Sequence, residues 1–189
     1  GVAAKTVDDL VGAARAKPGK LNLAYGTTGA LVNSAQLVSL SKIDVLQVPY
    51  KGEPAGVIDL VAGRIDFMFA TPTTALPHIK DGKVRALGVV LYNRSPLLPD
   101  VPTMGEAGMP KLVNVTWAAV LGPAKLPADV VAKLNRAVNE ALSNPGVRAQ
   151  LAQQAIEISG STPQELHAFM ANQIETWKRV TSETGMKLD

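Results

Sequence analysis

At 189 residues, with 47% hydrophobic and only 4% aromatic side chains, the chain can build one sizeable aliphatic domain or two small ones, and it has few rings for stacking on nucleic-acid bases. The absence of cysteine excludes disulfides, thiolate nucleophiles and cysteine-based zinc sites, and the two histidines, His78 and His167, have no metal-ligand spacing. A formal charge of +3 without a long basic run suits small anions as readily as nucleic acid, and no apolar stretch approaches the about 20 residues of a membrane helix.

Thr6-Val7-Asp8-Asp9 predicts a helix start, with Thr6 as cap and Asp9 in the capping-box position; Leu10, Val11 and Ala14 give its apolar face, and Pro18-Gly19 ends it. A strand is expected at Leu21–Tyr25, then a turn at Gly26-Thr27-Thr28-Gly29 and a helix to about Leu40. Val45–Val48 reads as the next strand, and Pro54 as the first turn of a helix whose face is Val57, Ile58 and Val61. Ile65–Phe69 is a third predicted strand, followed by a cap at Thr71-Pro72, a helix, and a strand at Val84–Val90. Strands alternating with helices at this spacing argue for a parallel sheet wrapped by helices.

From Tyr92 to Lys111 four prolines punctuate a long connection, and Val115–Leu121 predicts a strand that crosses between domains. Beyond Pro127 the pattern turns helical. Val130, Leu134, Val138 and Leu142 mark one helix, residues 145–153 a shorter one, and Ile156–Ser159 a short strand. Thr162-Pro163-Gln164-Glu165 combines a cap, a first-turn proline and a capping-box glutamate ahead of a last helix carrying Leu166, Phe169, Ile174 and Trp177. The first two thirds therefore read as an α/β unit and the last third as mostly helical cladding.

Three predicted strand ends carry polar turns. Gly26–Gly29 leads into a helix N-terminus, where free N–H groups and the helix dipole favour a carboxylate or phosphate; a plain connecting turn fits the same residues. It is neither G-x-G-x-x-G nor a G-K-[ST] loop, which counts against nucleotide binding. Tyr50 and Lys51 follow Val48-Pro49, and by local reading are a half-buried tyrosine beside a solvated lysine. Ala70-Thr71-Pro72-Thr73-Thr74 offers hydroxyls that either cap a helix or face a ligand. Ligands of open α/β sheets collect outside the carboxyl ends of the strands, so these three turns are expected to converge. No G-x-S-x-G elbow, paired carboxylates or metal-ligand set is evident, and no enzyme activity or cofactor is expected.

The string "VPYKGEPAGVIDLVAGRIDFMFATPTTALPHIKDGKVRALGVV", with "RSPLLPDVPTMGEAG" and "GPAKLPADVVAKLN" after it, closely resembles the Bug-type substrate-binding proteins of tripartite tricarboxylate transporters, and the resemblance runs from about Lys5 to the C-terminus. It implies a type II periplasmic-binding-protein-like fold: α/β, with a parallel-type sheet flanked by helices and an incomplete second domain. Residues 1–116 would be the family's domain two, which binds ligand, and residues 117–189 the mostly helical returning part of domain one. The N-terminal part of domain one is missing by comparison with the family, and Gly1 in place of a methionine reads as a processed or trimmed start.

The resemblance further implies a periplasmic protein that captures a small di- or tricarboxylate, or a related organic acid, and hands it to membrane permease subunits. It performs no chemistry and has no nucleic-acid partner. The implied ligand-binding residues are Gly26, Thr27, Thr28 and Gly29, with Thr71 and Thr73 from the neighbouring strand end and Tyr50 and Lys51 in a secondary role. Family members often carry Asp-Asn at Ala70-Thr71; the lack of an acid there argues for a plain carboxylate over an amino acid. The family's histidine before V-P-Y-K-G is Gln47 here. Dimerisation or strand exchange is one way to cover apolar domain-one surface. The alternative role is a sensing module that presents a carboxylate to a signalling partner.

Overall fold

The computed structural model describes residues 2–114, 117–152 and 158–184. The chain divides into two compact units, Gly1–Thr116 with Val180–Asp189, and Trp117–Arg179.

The first unit begins with helix α1 (Val7–Ala16). Thr6 accepts the Asp9 N–H at 3.0 Å, and Asp9 Oδ2 accepts the Thr6 N–H at 3.0 Å, so the capping box read from the sequence is formed. Strand β1 (Asn22–Tyr25), helix α2 (Thr28–Ser41), strand β2 (Leu46–Pro49), helix α3 (Glu53–Val61), strand β3 (Phe67–Met68) and helix α4 (Pro72–Lys80) follow in alternation. The strands form a parallel sheet in the order β2-β1-β3, with Leu23 opposite both Gln47 and Phe67. β1 is central and covered on both faces: Leu23 joins the main cluster with Val7, Leu10, Leu37, Ile43 and Leu112, while Ala24, on the other side of the pleat, is equally buried outside that cluster. Two consecutive apolar residues, Leu23 and Ala24, at the centre of β1 match this two-sided burial. Asp66, just before β3, accepts the Asn22 N–H at 2.8 Å and so ties the opposite, amino-terminal ends of the strands together.

The strand expected at Val84–Val90 is not formed. Val89 makes one parallel bridge, to Thr103, through Val89 N–H to the Pro102 carbonyl and Met104 N–H to the Val89 carbonyl, both 2.9 Å. The partner segment carries Pro96, Pro99 and Pro102, which have no N–H to extend a ladder. That segment is held instead by side chains. Arg94 Nε donates to both oxygens of Glu106 at 3.1 and 2.9 Å, and its Nη1 donates to the Pro99 carbonyl at 3.2 Å. Glu106 also accepts the Thr103 N–H at 2.8 Å while its own N–H donates to Thr103 Oγ1 at 3.1 Å, the reciprocal pattern of a capping box set here around a turn. The family-like string R-S-P-L-L-P-D-V-P-T-M-G-E is thus a loop closed on itself.

The second unit contains α5 (Ala128–Ser143), α6 (Pro145–Ala152) and most of α7 (Pro163–Thr184). Its last helix starts as read from the sequence, with Thr162 N–H on Glu165 Oε2 at 2.8 Å and Glu165 N–H on Thr162 Oγ1 at 3.2 Å. Trp117 packs edge-on against Phe169 with ring centroids 5.4 Å apart. Of the strand expected at Val115–Leu121, Val115 and Thr116 lie outside the described residues, and Trp117–Leu121 forms none. Among the described residues it has no backbone hydrogen-bonded neighbour, and Val120 and Leu121 are 72% and 68% exposed. Of the strand expected at Ile156–Ser159, Ile156 and Glu157 lie outside the described residues, and Ile158–Ser159 forms none.

The Arg94–Glu106 closure has a pH signature. The Arg94 hydrogen bonds first, then the Thr103 N–H, hold the Glu106 carboxyl below its ordinary value of 4.5. A depressed folded-state pKa stabilises the fold above the unfolded value, and that contribution disappears as pH falls through the folded one. Glu106→Gln is expected to melt below the wild type at neutral pH. The gap should hold down to about pH 4.5, then close as acid protonates the wild-type carboxyl. Melting curves from pH 7 downward check this, and a gap that persists in acid would refute it.

Candidate functional site

At the carboxyl edge of the sheet the turns after β1, β2 and β3 lie against one another. Gly26 makes this possible. A Cβ built on it would stand 2.5 Å from the Gly52 carbonyl carbon and 2.6 Å from the Glu53 nitrogen, so the two backbones touch where any side chain would intrude. Thr27 then caps α2: its Oγ1 accepts the Ala30 N–H at 3.2 Å and its carbonyl accepts the Leu31 N–H at 3.0 Å. The N–H groups of Thr28 and Gly29 accordingly have no acceptor among the described residues, and Thr27, Thr28 and Gly29 are exposed. No acidic residue stands in the first turn of this 14-residue helix, so nothing there offsets the positive end of its dipole.

The turn after β2 presents its residues differently. Tyr50 N–H continues the ladder to the Tyr25 carbonyl at 2.9 Å, but the phenol donates to Asp59 Oδ2 at 2.7 Å, and Arg64 holds the other oxygen of Asp59 at 2.7 Å. This hydrogen bond to Asp59 raises the Tyr50 pKa; the same bond, with Arg64 next, lowers that of Asp59. Lys51 is exposed and makes no hydrogen bond or ion pair among the described residues.

Glu53, the first residue of α3, is buried at 6% exposure. Its Oε2 accepts three hydrogen bonds from the third turn: Thr71 N–H at 3.0 Å, Thr71 Oγ1 at 2.7 Å and Thr74 Oγ1 at 2.8 Å. Thr71, N-cap of α4, therefore faces Glu53, while Thr73 is exposed and its N–H and hydroxyl are unbonded among the described residues. The structure brings Gly26, the Tyr50–Glu53 turn and Thr71 together, with Thr28, Gly29, Lys51 and Thr73 at the open surface of that edge.

Two further residues belong to this neighbourhood. Asn33, one turn into α2 and 7% exposed, accepts the Asn114 side-chain N–H at 2.9 Å. Asn114 in turn comes within 4.0 Å of a Cβ built on Gly29. An asparagine inside the apolar run A-L-V-N-S-A-Q-L is the sequence signal that marks Asn33. Glu53 carries no such signal, because an acid in the first turn of a helix is ordinarily solvated and favoured by the dipole.

Among the described residues no group of three His, Cys, Asp or Glu side chains is placed to hold a metal, and no helix is long and apolar enough to cross a membrane. A groove of about 1040 Å³ lies within the second unit, between α5 and the start of α7. Its central asparagines are already engaged: Asn135 and Asn139 donate to the Ser161 carbonyl at 2.8 and 3.1 Å, holding the turn into α7.

The same fold recurs in solved structures. R. palustris Rpa4515 with adipate is 26% identical, with a TM-score of 0.84 over 97% of this chain and 62% of that one. MatC from Rhodopseudomonas palustris with bound malate is 29% identical, with a TM-score of 0.71 over 95% and 62%. The periplasmic binding protein BugD is 26% identical, with a TM-score of 0.82 over 98% and 63%. BugT of Bordetella pertussis is 34% identical over 187 residues, which are 97% of this chain and 57% of BugT. The chain spans about half the length of the curated relatives it matches. The profile of the tripartite tricarboxylate transporter family receptor, TctC, matches residues 2–186, and the chain belongs to that family.

Proposed function

We propose that this chain holds a small carboxylate for a tripartite tricarboxylate-type transporter, acting in the periplasm and passing the solute to membrane permease subunits without chemical change. The observation that carries the reading is the pair of N–H groups at Thr28 and Gly29 that have no acceptor among the described residues, at a helix N-terminus with no acid of its own. Such an end accepts a carboxylate through N–H donors and dipole together. The adipate and malate present in two related structures are carboxylates of the expected size class. In this reading residues 1–116 form the ligand-binding domain and residues 117–189 the returning part of the other.

Magnitudes define what the loop must share with its neighbours. Two hydrogen bonds to a charged group contribute about 3–6 kcal/mol, and the dipole adds about 0.3–1 kcal/mol. Micromolar affinity requires about 8 kcal/mol. The remainder falls to Thr73, Lys51 as a counter-charge, the Thr27 and Thr28 hydroxyls, and whatever closes over the ligand from outside this edge.

Calorimetry of this chain against adipate, malate and a neutral diol of matching length is expected to give saturable binding for the two acids and none for the diol. Binding of the diol, or no binding of any carboxylate, would remove the anion-site reading. Gly26→Ala forces the Gly52–Glu53 backbone aside and is expected to lower stability by about 1–3 kcal/mol. It should also abolish carboxylate binding at temperatures where the variant is still folded. Thermal melts paired with the same titration test both parts, and a variant that binds like the wild type would show that this close approach does not position the site.

A further inference from the structure

Glu53 has a feature that helix capping leaves unused. Three hydrogen bonds converge on Oε2, from Thr71 and Thr74, and fix the carboxylate in one orientation. The other oxygen, Oε1, accepts nothing among the described residues, and none of the ion pairs found there involves Glu53. The buried polar atoms left without a partner among those residues are Gln36 Oε1 and His78 Nδ1. Glu53 Oε1 is therefore still open to solvent, on a residue whose backbone nitrogen lies directly under Gly26. A carboxylate oxygen in this position is an acceptor with a set direction and no internal donor.

We propose that Glu53 is a specificity-determining residue: its Oε1 accepts a hydrogen bond from a hydroxyl or ammonium group that the ligand carries beside its carboxylate. The inference rests on the carboxylate reading of the Gly26–Gly29 turn and extends it to the rest of the solute. A bare carboxylate turned toward Oε1 meets like charge in a partly dehydrated place, whereas a donor there satisfies the free oxygen. Ala70-Thr71 supplies no acid of its own, yet Glu53 delivers one to Thr71 from a different turn. The plain-carboxylate preference expected from that pair is accordingly replaced by a preference for hydroxy- or amino-substituted acids.

The test uses succinate, malate and aspartate, which share a four-carbon diacid and differ in the donor. The wild-type chain is expected to bind malate, aspartate or both at least tenfold more tightly than succinate; the better of the two identifies hydroxyl or ammonium as the donor. Glu53→Gln keeps an acceptor for Thr71 and Thr74 and exchanges the free oxygen for an N–H donor. It is expected to melt within a few degrees of the wild type, lose the donor-bearing ligands by tenfold or more, and bind succinate at least as well as before. Equal wild-type affinity for the three acids overturns the inference and leaves the carboxylate reading standing, and this comparison needs no variant to fold. A folded Glu53→Gln protein that keeps the wild-type order of affinities also overturns it, leaving Glu53 as a cap for α4. Absence of binding by all three and by adipate removes both readings.

Discussion

The approach of Gly26 to the Gly52–Glu53 backbone is the contact on which the rest of this edge depends. Parallel strands bring their carboxyl ends to one side as a matter of topology, but the turns that follow can still splay apart. Here the first two are in backbone contact, and a side chain at position 26 would separate them. Once they touch, α3 starts beside β1 and its first residue, Glu53, reaches across to the third turn. Thr71 and Thr74 are drawn onto that buried carboxylate, and the donors left without an acceptor among the described residues are those of Thr28 and Gly29 at α2 and of Thr73 at α4. One missing methyl group thus arranges three turns, and the division of labour between α2 and α4 follows from it.

That division separates two kinds of polar end. At the α4 end a carboxylate from the neighbouring helix accepts the Thr71 N–H and two hydroxyls, and Thr73 alone keeps its donors outward. The α2 end is only half satisfied: Thr27 takes the Ala30 and Leu31 donors and leaves two outward. Local chemistry alone would treat Thr27-Thr28-Gly29 and Thr71-Pro72-Thr73 as equivalent helix starts. Burial of one acid makes them unlike.

How much of this was legible depends on the distance over which each interaction acts. The capping boxes at Thr6 and Thr162, the strand–turn–helix passage at Gly26 and the three-strand alternation are encoded within a few consecutive residues, and they form as read. The strands expected at Val84–Val90 and Val115–Leu121 have suitable apolar sequences, but a strand exists only where another offers matching donors and acceptors. Pro102, beside the bridge at Val89, has no donor to extend it, and nothing among the described residues pairs with Val120 and Leu121. Glu53 was hidden for a related reason. Its burial is decided by residues 18 and 21 positions further along, and its immediate context, Gly-Glu-Pro, is that of an ordinary solvated helix start.

The uncovered stretch at Trp117–Leu121 bears on how the molecule behaves in bulk. Val120 and Leu121 are largely bare, and their backbone groups are in no ladder among the described residues. An exposed apolar segment whose backbone enters no ladder among the described residues is a template onto which an extended segment can add. Encounters of that kind are second order, so they grow with the square of concentration while the unimolecular fold is indifferent to it.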